Sequence, residues 1–226
     1  MGRCISYIIP TLNEEGSLHE TLDSVDNQAG DKEVIIADGG SNDKTLEIAQ
    51  ERRCEIIQSP PGRGTQLNRG ADQAKGDVLL FLHADTALPE GASTEVVSLL
   101  NIPGTVAGSF HLTFKPSSKL LQFYSRCTTL NNSYFTFGDQ GLFMHRPAFY
   151  ALGKFKPYPF LEDVEFQVRL RAMGRFVKSK LAVTTSSRRF LKHGIIRQQL
   201  LNLSIVAGFQ AGIYPKTLAR FYSDVR

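Results

Sequence analysis

Cysteine, long apolar runs and low-complexity sequence are all scarce in this 226-residue chain. Its three cysteines, Cys4, Cys54 and Cys127, are widely spaced, and two of them sit inside apolar strand-like runs. That spacing offers neither a disulfide framework nor a zinc cluster, and it suits a reducing cytosol. No stretch approaches the roughly 18 apolar residues that a membrane-spanning helix needs. The longest candidate, residues 200–214, is broken by Asn202, Ser204, Gln210 and two glycines. The opening residues do not read as a secretory leader either, because Arg3 leads directly into the apolar residues 5–9 and Pro10 follows. A cytoplasmic protein is expected. Hydrophobic residues make up 42% and charged residues 21%, the composition of an ordered fold rather than a tail. The length suits one domain over residues 1–226, since two independent cores would each fall near the lower size limit for stable burial.

The two commonest nucleotide fingerprints, G-x-G-x-x-G and the P-loop lysine pattern, are also absent. The net charge of +4 is compatible with nucleic acid, anionic lipid or a phosphorylated small substrate. Nucleic acid is excluded as a partner, because the cations are spread among 22 acids and no recognition module is present.

What is present is alternation. The strand-like runs "CISYII", "EVIIA", "CEIIQ" and "DVLLFLH" are separated by helix-like segments near residues 15–25, 44–52 and 66–74. A further helix near 89–100 precedes a strand near 106–114. Strands apolar on both faces, joined by helical crossovers, predict an α/β fold with a mostly parallel, helix-covered sheet. Ligands of such sheets gather at the carboxyl ends of the strands. After residue 115 the chain turns polar-aromatic, then reads as the turn "FTFGDQG", the strand "LFMHR" and the helix "EDVEFQVRLRAMG". Residues 1–115 are expected to bind a nucleotide, and residues 116–226 to complete the sheet and supply the acceptor side. Residues 195–213 read as an apolar helix flanked by Arg188, Arg189, Lys192, Arg197 and Lys216, suited either to close the core or to rest on a membrane surface.

Candidate chemistry sits at the strand ends. Pro10 halts the first strand before Thr11, Leu12, Asn13 and Glu14, a loop that either cups a base or caps a helix through Asn13. Asp38, Gly39 and Gly40 end the second strand. There the glycines allow close backbone approach, and the carboxylate can accept from a base or ribose, or cap the turn. Arg63 enters a glycine-rich helix start, where its planar donors suit a diphosphate. His83, Ala84 and Asp85 end the fourth strand. A carboxylate there needs water, a donor or a cation, so Asp85 is the metal-ligand candidate; the alternative is a cap for the next helix. Mg²⁺ or Mn²⁺ needs few protein oxygens when phosphates and water complete its shell. Glu162 and Asp163 open a helix, where the dipole favours acids and where a base can face an acceptor hydroxyl.

In order, Pro10-Thr11-Leu12-Asn13-Glu14, Asp38-Gly39-Gly40-Ser41-x-Asp43-x-Thr45, Arg63-Gly64 with Asn68, Asp85, and Glu162-Asp163 resemble family 2 glycosyltransferases of the GT-A fold. "LHADT", "FGDQG", "EDVEF" and "SSRRF" are similar to the radical-SAM/selenodomain-associated subgroup. The resemblance implies a nucleotide-diphosphate sugar donor lined by Pro10, Asn13, Glu14, Asp38 and Arg63. It further implies a metal on Asp85 and an inverting transfer with Asp163 as the general base. His83 stands where the family commonly has a first acid. Gly138, Asp139 and Gln140 become candidates for the sugar or acceptor pocket. The acceptor itself is not named by the sequence, and a lipid-like one suits the C-terminal segment. A sugar nucleotidyltransferase is disfavoured because "PTLNEEGS" follows the first strand where such enzymes usually carry a glycine-rich run with a basic residue. A binding protein without turnover is disfavoured because both Asp85 and Asp163 are present.

Overall fold

The side chains of the first strand sort by parity. In β1 (Ile5–Thr11), Tyr7 and Ile9 join one buried cluster while Ile8 joins another on the opposite face. Strand β2 (Lys32–Asp38) divides in the same way between Ile36 and Ile35. Strands β3 (Glu55–Gln58) and β4 (Val78–Phe81) follow, and Leu80 and Leu79 of β4 again face opposite clusters. Burial on both faces is the reason these runs are continuously apolar. The helices that cover them are α1 (Leu18–Asp26), α2 (Thr45–Glu51) and α3 (Arg63–Gln73). Helix α3 rides close to the sheet at Gly70, where an added Cβ would lie 2.6 Å from Cγ2 of Ile8.

The computed structural model describes residues 3–221; residues 1–2 and 222–226 of the expected domain lie outside the described residues. Beyond β4 come β5 (Thr86–Ala87), α4 (Ala92–Leu100), β6 (Thr105–Lys115), α5 (Lys119–Cys127), β7 (Leu142–His145) and α6 (Arg146–Ala151). The chain continues through α7 (Glu162–Met173), β8 (Arg175–Ser186), α8 (Arg188–His193), α9 (Ile195–Gln210) and α10 (Pro215–Leu218). One sheet joins both halves, in the order β3-β2-β1-β4-β7-β6-β8-β5. Strands β1, β2, β3 and β4 are mutually parallel, and β6 and β8 run in the same direction as these. Only β7 and β5 oppose them among the described residues. The mostly parallel sheet read from the first half is therefore closed by a mixed second half.

Helix α5 and strand β8 are among the elements that depart from the sequence reading, and two strand ends shift as well: Pro10 pairs with Ala37 inside β1 instead of halting it, and β4 stops at Phe81, four residues before Asp85. Helix α5 forms where a polar-aromatic stretch was expected; the Ser118 hydroxyl accepts from the Leu121 N–H at its start, and Leu121 and Tyr124 point inward. Strand β8 was not read at all, yet it pairs with β6 from Thr105↔Arg175 to Lys115↔Ser186. Register places Thr11 level with Asp38, and Ile8 level with Phe81. The carboxyl ends of β1, β2 and β4 thus open on one rim of the sheet.

Candidate active site

A cleft of about 710 Å³ lies at that rim, within the size range of small-ligand sites. Loops after β1 and β4 form one wall, and the first turns of α3 and α7 form the other. Residues from α5, α8 and α9 close its far end.

The β1 loop is held from outside. Asn13 adopts a left-handed backbone, with φ 55°; its N–H donates to the Ser41 hydroxyl, and its side-chain oxygen accepts from the Asn42 N–H. Helix α1 starts only at Leu18, after Ser17, so Asn13 does not cap it. Its bonds clip the first loop to the second. Asp38 is buried, and its carboxylate accepts from Gly40 N, Ser41 N and the Ser41 and Thr11 hydroxyls. Those donors hold its pKa below the usual carboxylate range against the effect of burial. The turn-capping role is the one seen; Asp38, Gly39 and Gly40 support the wall from behind, while Pro10, Thr11 and Glu14 line the cleft. Gln66 also lines it, and its amide donates to the carbonyls of Thr11 and Ala37, tying β1 to β2.

Charge concentrates on two arginines. Arg63 ion-pairs with Glu162, lies 3.4 Å from Asp163 and places a second nitrogen 3.4 Å from Nε2 of His83. The Asp163 carboxylate accepts from Gly138 N at 2.5 Å and Val164 N at 2.8 Å. Arg188 reaches Glu14 at 3.1 Å and Asp85 at 3.5 Å. Asp85 is not a helix cap, because α4 begins at Ala92 after Gly91. Burial, reinforced by Glu14, raises its pKa, and Arg188 only partly opposes that. Burial followed by the Asp163 charge pushes Asp139 up to about 7, and Asp139 Oδ1 is buried without a hydrogen-bond partner. His83 is held neutral by burial and by the nearby Arg63 and Arg189.

Buried carboxylates with too few donors fit a divalent cation. Among the described residues no group of three or more His, Cys, Asp or Glu side chains is gathered for a metal. The fit is therefore to an ion that takes one carboxylate, that of Asp85, and fills its shell with ligand and water oxygens.

Of the residues singled out in the sequence, the cleft brings together Pro10, Thr11, Glu14, Arg63, His83, Ala84, Asp85, Asp139, Glu162 and Asp163. Asn68 instead bridges to the Phe155 backbone. Gln140 is buried against Lys178 and the Phe135 carbonyl, and Gly138 acts through its N–H on Asp163. Sequence reasoning did not find Gln66, nor the aromatic end formed by Phe114, Tyr124 and Phe190, whose ring centroids lie 5.4–5.9 Å apart, with Phe114 and Tyr124 stacked and Phe190 edge-on to Phe114. These rings come from β6, α5 and α8, and no local spacing links them. The run "SSRRF" was the one signal, since it carries Arg188 and Phe190.

A PGL/p-HBAD biosynthesis glycosyltransferase of Mycobacterium bovis (strain BCG / Pasteur 1173P2) is 44% identical over 93 residues, covering 38% of this chain and 36% of that one. A 4,4'-diaponeurosporenoate glycosyltransferase of Staphylococcus haemolyticus (strain JCSC1435) is 28% identical over 145 residues, 58% of this chain and 39% of that one. The chain thus matches well under half the length of these relatives. In fold it is similar to the mannosyltransferase PcManGT from Pyrobaculum calidifontis, solved with GDP-Man and Mn²⁺, at a TM-score of 0.72 with 19% identity over 94% of this chain and 66% of that one. The architecture is that of a GT-A glycosyltransferase. The model of glycosyl transferase family 2 matches residues 6–158, most of the sheet and one wall of the cleft, and the chain belongs to that family.

Proposed function

We propose that this protein is an inverting, metal-dependent glycosyltransferase that moves a sugar from a nucleotide-diphosphate sugar to an apolar hydroxyl or carboxyl acceptor. The observation that carries the reading is the convergence in one cleft of Asp85, in the turn after β4 and 3.5 Å from Arg188, with Asp163, anchored at the start of α7. Pro10, Thr11, Glu14 and Arg63 are assigned to the nucleotide and diphosphate, with Asn13, Asp38, Gly39 and Gly40 holding their loops. The GDP-Man and Mn²⁺ of the Pyrobaculum calidifontis mannosyltransferase support a donor of this class. Asp85 would hold Mg²⁺ or Mn²⁺, and such an ion supplies positive charge to a departing diphosphate.

The acceptor oxygen attacks the anomeric carbon, the bond to the diphosphate breaks on the opposite face, and the acceptor proton passes to Asp163. Glu162 is fully turned into Arg63, so it positions Arg63 and leaves Asp163 to face the acceptor. The far end of the cleft, with Phe114, Tyr124, Phe190, Ile205 and Val206, suits an apolar acceptor. The staphylococcal relative is named for diaponeurosporenoate, which accords with that chemistry. The whole chain is assigned to one domain, nucleotide half 1–115 and acceptor half 116–226, in the radical-SAM-associated subgroup. It is placed in the cytoplasm, at the inner face of the cell membrane.

Calorimetric titration of UDP, GDP and their sugar conjugates, with and without Mn²⁺, tests the donor half. Metal-dependent binding of one nucleotide, lost in Asp85→Ala, is the expected result. Absence of binding under every condition overturns the reading.

A further inference from the structure

Helices α5, α8 and α9 send apolar side chains in two directions. Inward, Tyr124, Phe190, Ile205 and Val206 line the far end of the cleft. Outward, Leu120 and Phe123 of α5, Leu191 of α8, and Ile196 and Leu200 of α9 stand 49–68% exposed. The three- and four-residue separations within α5 and α9 put each outward pair on one helix face. The helices are joined by the Tyr124–Phe190 ring contact at 5.9 Å, and α9 reaches the segment after α5 through Gln210 and Ser133 at 3.1 Å. Exposed apolar side chains on packed helices form a patch of the kind that marks an interaction site.

The helices that carry this patch, with the segments joining α8, α9 and α10, hold charge of one sign. Residues 116–138 and 187–221 contain no Asp or Glu. Lys119, Arg126, Lys192, Arg197, Lys216 and Arg220 are all exposed, and among the described residues none of them forms an ion pair. These stretches carry more positive charge than the chain's entire net +4. A second copy of the same face would set cations against cations. No described helix is long and apolar enough to cross a membrane, whereas apolar side chains rimmed by Lys and Arg suit a protein lying in the headgroup layer of an anionic bilayer.

We propose that the α5–α8–α9 face seats the protein on an anionic lipid surface, with Leu120, Phe123, Leu191, Ile196 and Leu200 entering the acyl boundary and the exposed cations meeting acidic headgroups. The opposite sides of the same helices wall the apolar end of the cleft, so an apolar acceptor has a short path from the bilayer to Asp163. That path rests on the transferase reading, whereas the lipid contact stands apart from it.

Flotation of the full chain with vesicles tests the contact. Phosphatidylcholine vesicles containing about 30% phosphatidylglycerol are compared with phosphatidylcholine alone, in low and in high salt. The expected result is at least about tenfold more protein on the anionic vesicles, falling with salt, and a loss of about tenfold in Phe123→Glu/Leu200→Glu. Circular dichroism and nucleotide titration establish that the variant is folded and keeps its donor site. Equal flotation on both vesicle types, or equal flotation of wild type and variant, overturns the proposal. So does a dimer in light scattering that the substitutions dissolve while no vesicle binding is seen, since the face then belongs to a second copy. Nucleotide binding that fails while vesicle binding holds would overturn the transferase reading alone.

Discussion

Arg63 in the first turn of α3 is ion-paired with Glu162 in the first turn of α7, 99 residues away in sequence. Glu162 is 1% exposed, while Arg63 is 36% exposed. Removing the arginine therefore leaves a buried acid without its counter-ion, whereas water softens part of the loss at the arginine side. Arg63→Met is expected to cost about 2–3 kcal/mol in urea unfolding. Adding Glu162→Gln should recover a good part of that, because the uncompensated charge is then gone. No recovery in the double variant would mean that the pair does not join the two helices energetically.

Asp163→Asn should keep nucleotide binding and lower donor turnover, measured as release of the nucleoside diphosphate, by about 10²- to 10⁴-fold. The amide cannot take up a proton. It also cannot reproduce the carboxylate's contacts, because the two oxygens of Asp163 accept from two separate backbone N–H groups, those of Gly138 and Val164. One of these must face the new NH₂ group, so a small fall in thermal stability should accompany the loss. Undiminished turnover would remove Asp163 from the role of base.

The first half of the fold was legible because its strands are buried on both faces. Asp38 ends β2 as the sequence reads, whereas Pro10 pairs with Ala37 inside β1 and Asp85 lies four residues beyond β4; the register of β1 with β2 brings Thr11 level with Asp38. The second half was harder to read. Strand β8 includes Arg175, Lys178 and Lys180 in the run "RFVKSKLAVTTS", which hides its pairing with β6. The two roles open to Asp38 could not be separated in the sequence, because nothing local tells a carboxylate held by its own turn, as Asp38 is here, from one left open. The aromatic end of the cleft could not be read, because Phe114, Tyr124 and Phe190 meet only after β6, α5 and α8 have packed.

Lys178 provides a pH test of the buried polar layer behind the cleft. It is held by Gln140, the Ser109 hydroxyl at 3.0 Å and the Thr136 hydroxyl at 3.4 Å. Burial, with Arg171 adding to it, lowers its pKa from 10.5 to about 7. Above that value the folded protein holds the amine neutral, whereas the unfolded chain keeps it protonated up to 10.5. Unfolding then takes up a proton, so this residue makes stability rise with pH from about 7 upward and lose that gain as pH falls back through 7. Denaturant midpoints measured from pH 7 to 9 should rise more steeply in wild type than in Lys178→Met. Parallel curves would show that the amine stays charged in the fold.

Gly138 and Gly108 separate geometry at the site from stability of the fold. A Cβ on Gly138 would lie 2.8 Å from Oδ2 of Asp163, the same oxygen that accepts from the Gly138 N–H. A Cβ on Gly108 would lie 2.6 Å from Cζ of Phe143 and 2.7 Å from Cγ2 of Val177, in the sheet. Neither glycine has the positive φ that would itself penalise alanine, so both substitutions act by overpacking, at about 1–3 kcal/mol each. Gly138→Ala must push the Asp163 carboxylate aside, and a displacement of this size at a reacting group costs about 10²-fold in rate. Gly108→Ala pays a similar cost in the sheet without touching Asp163. Donor turnover well below the folding temperature should therefore collapse in Gly138→Ala and survive in Gly108→Ala, although denaturant midpoints fall in both. Equal turnover losses in the two would trace the effect to stability, and would remove the Gly138 N–H from the positioning of Asp163.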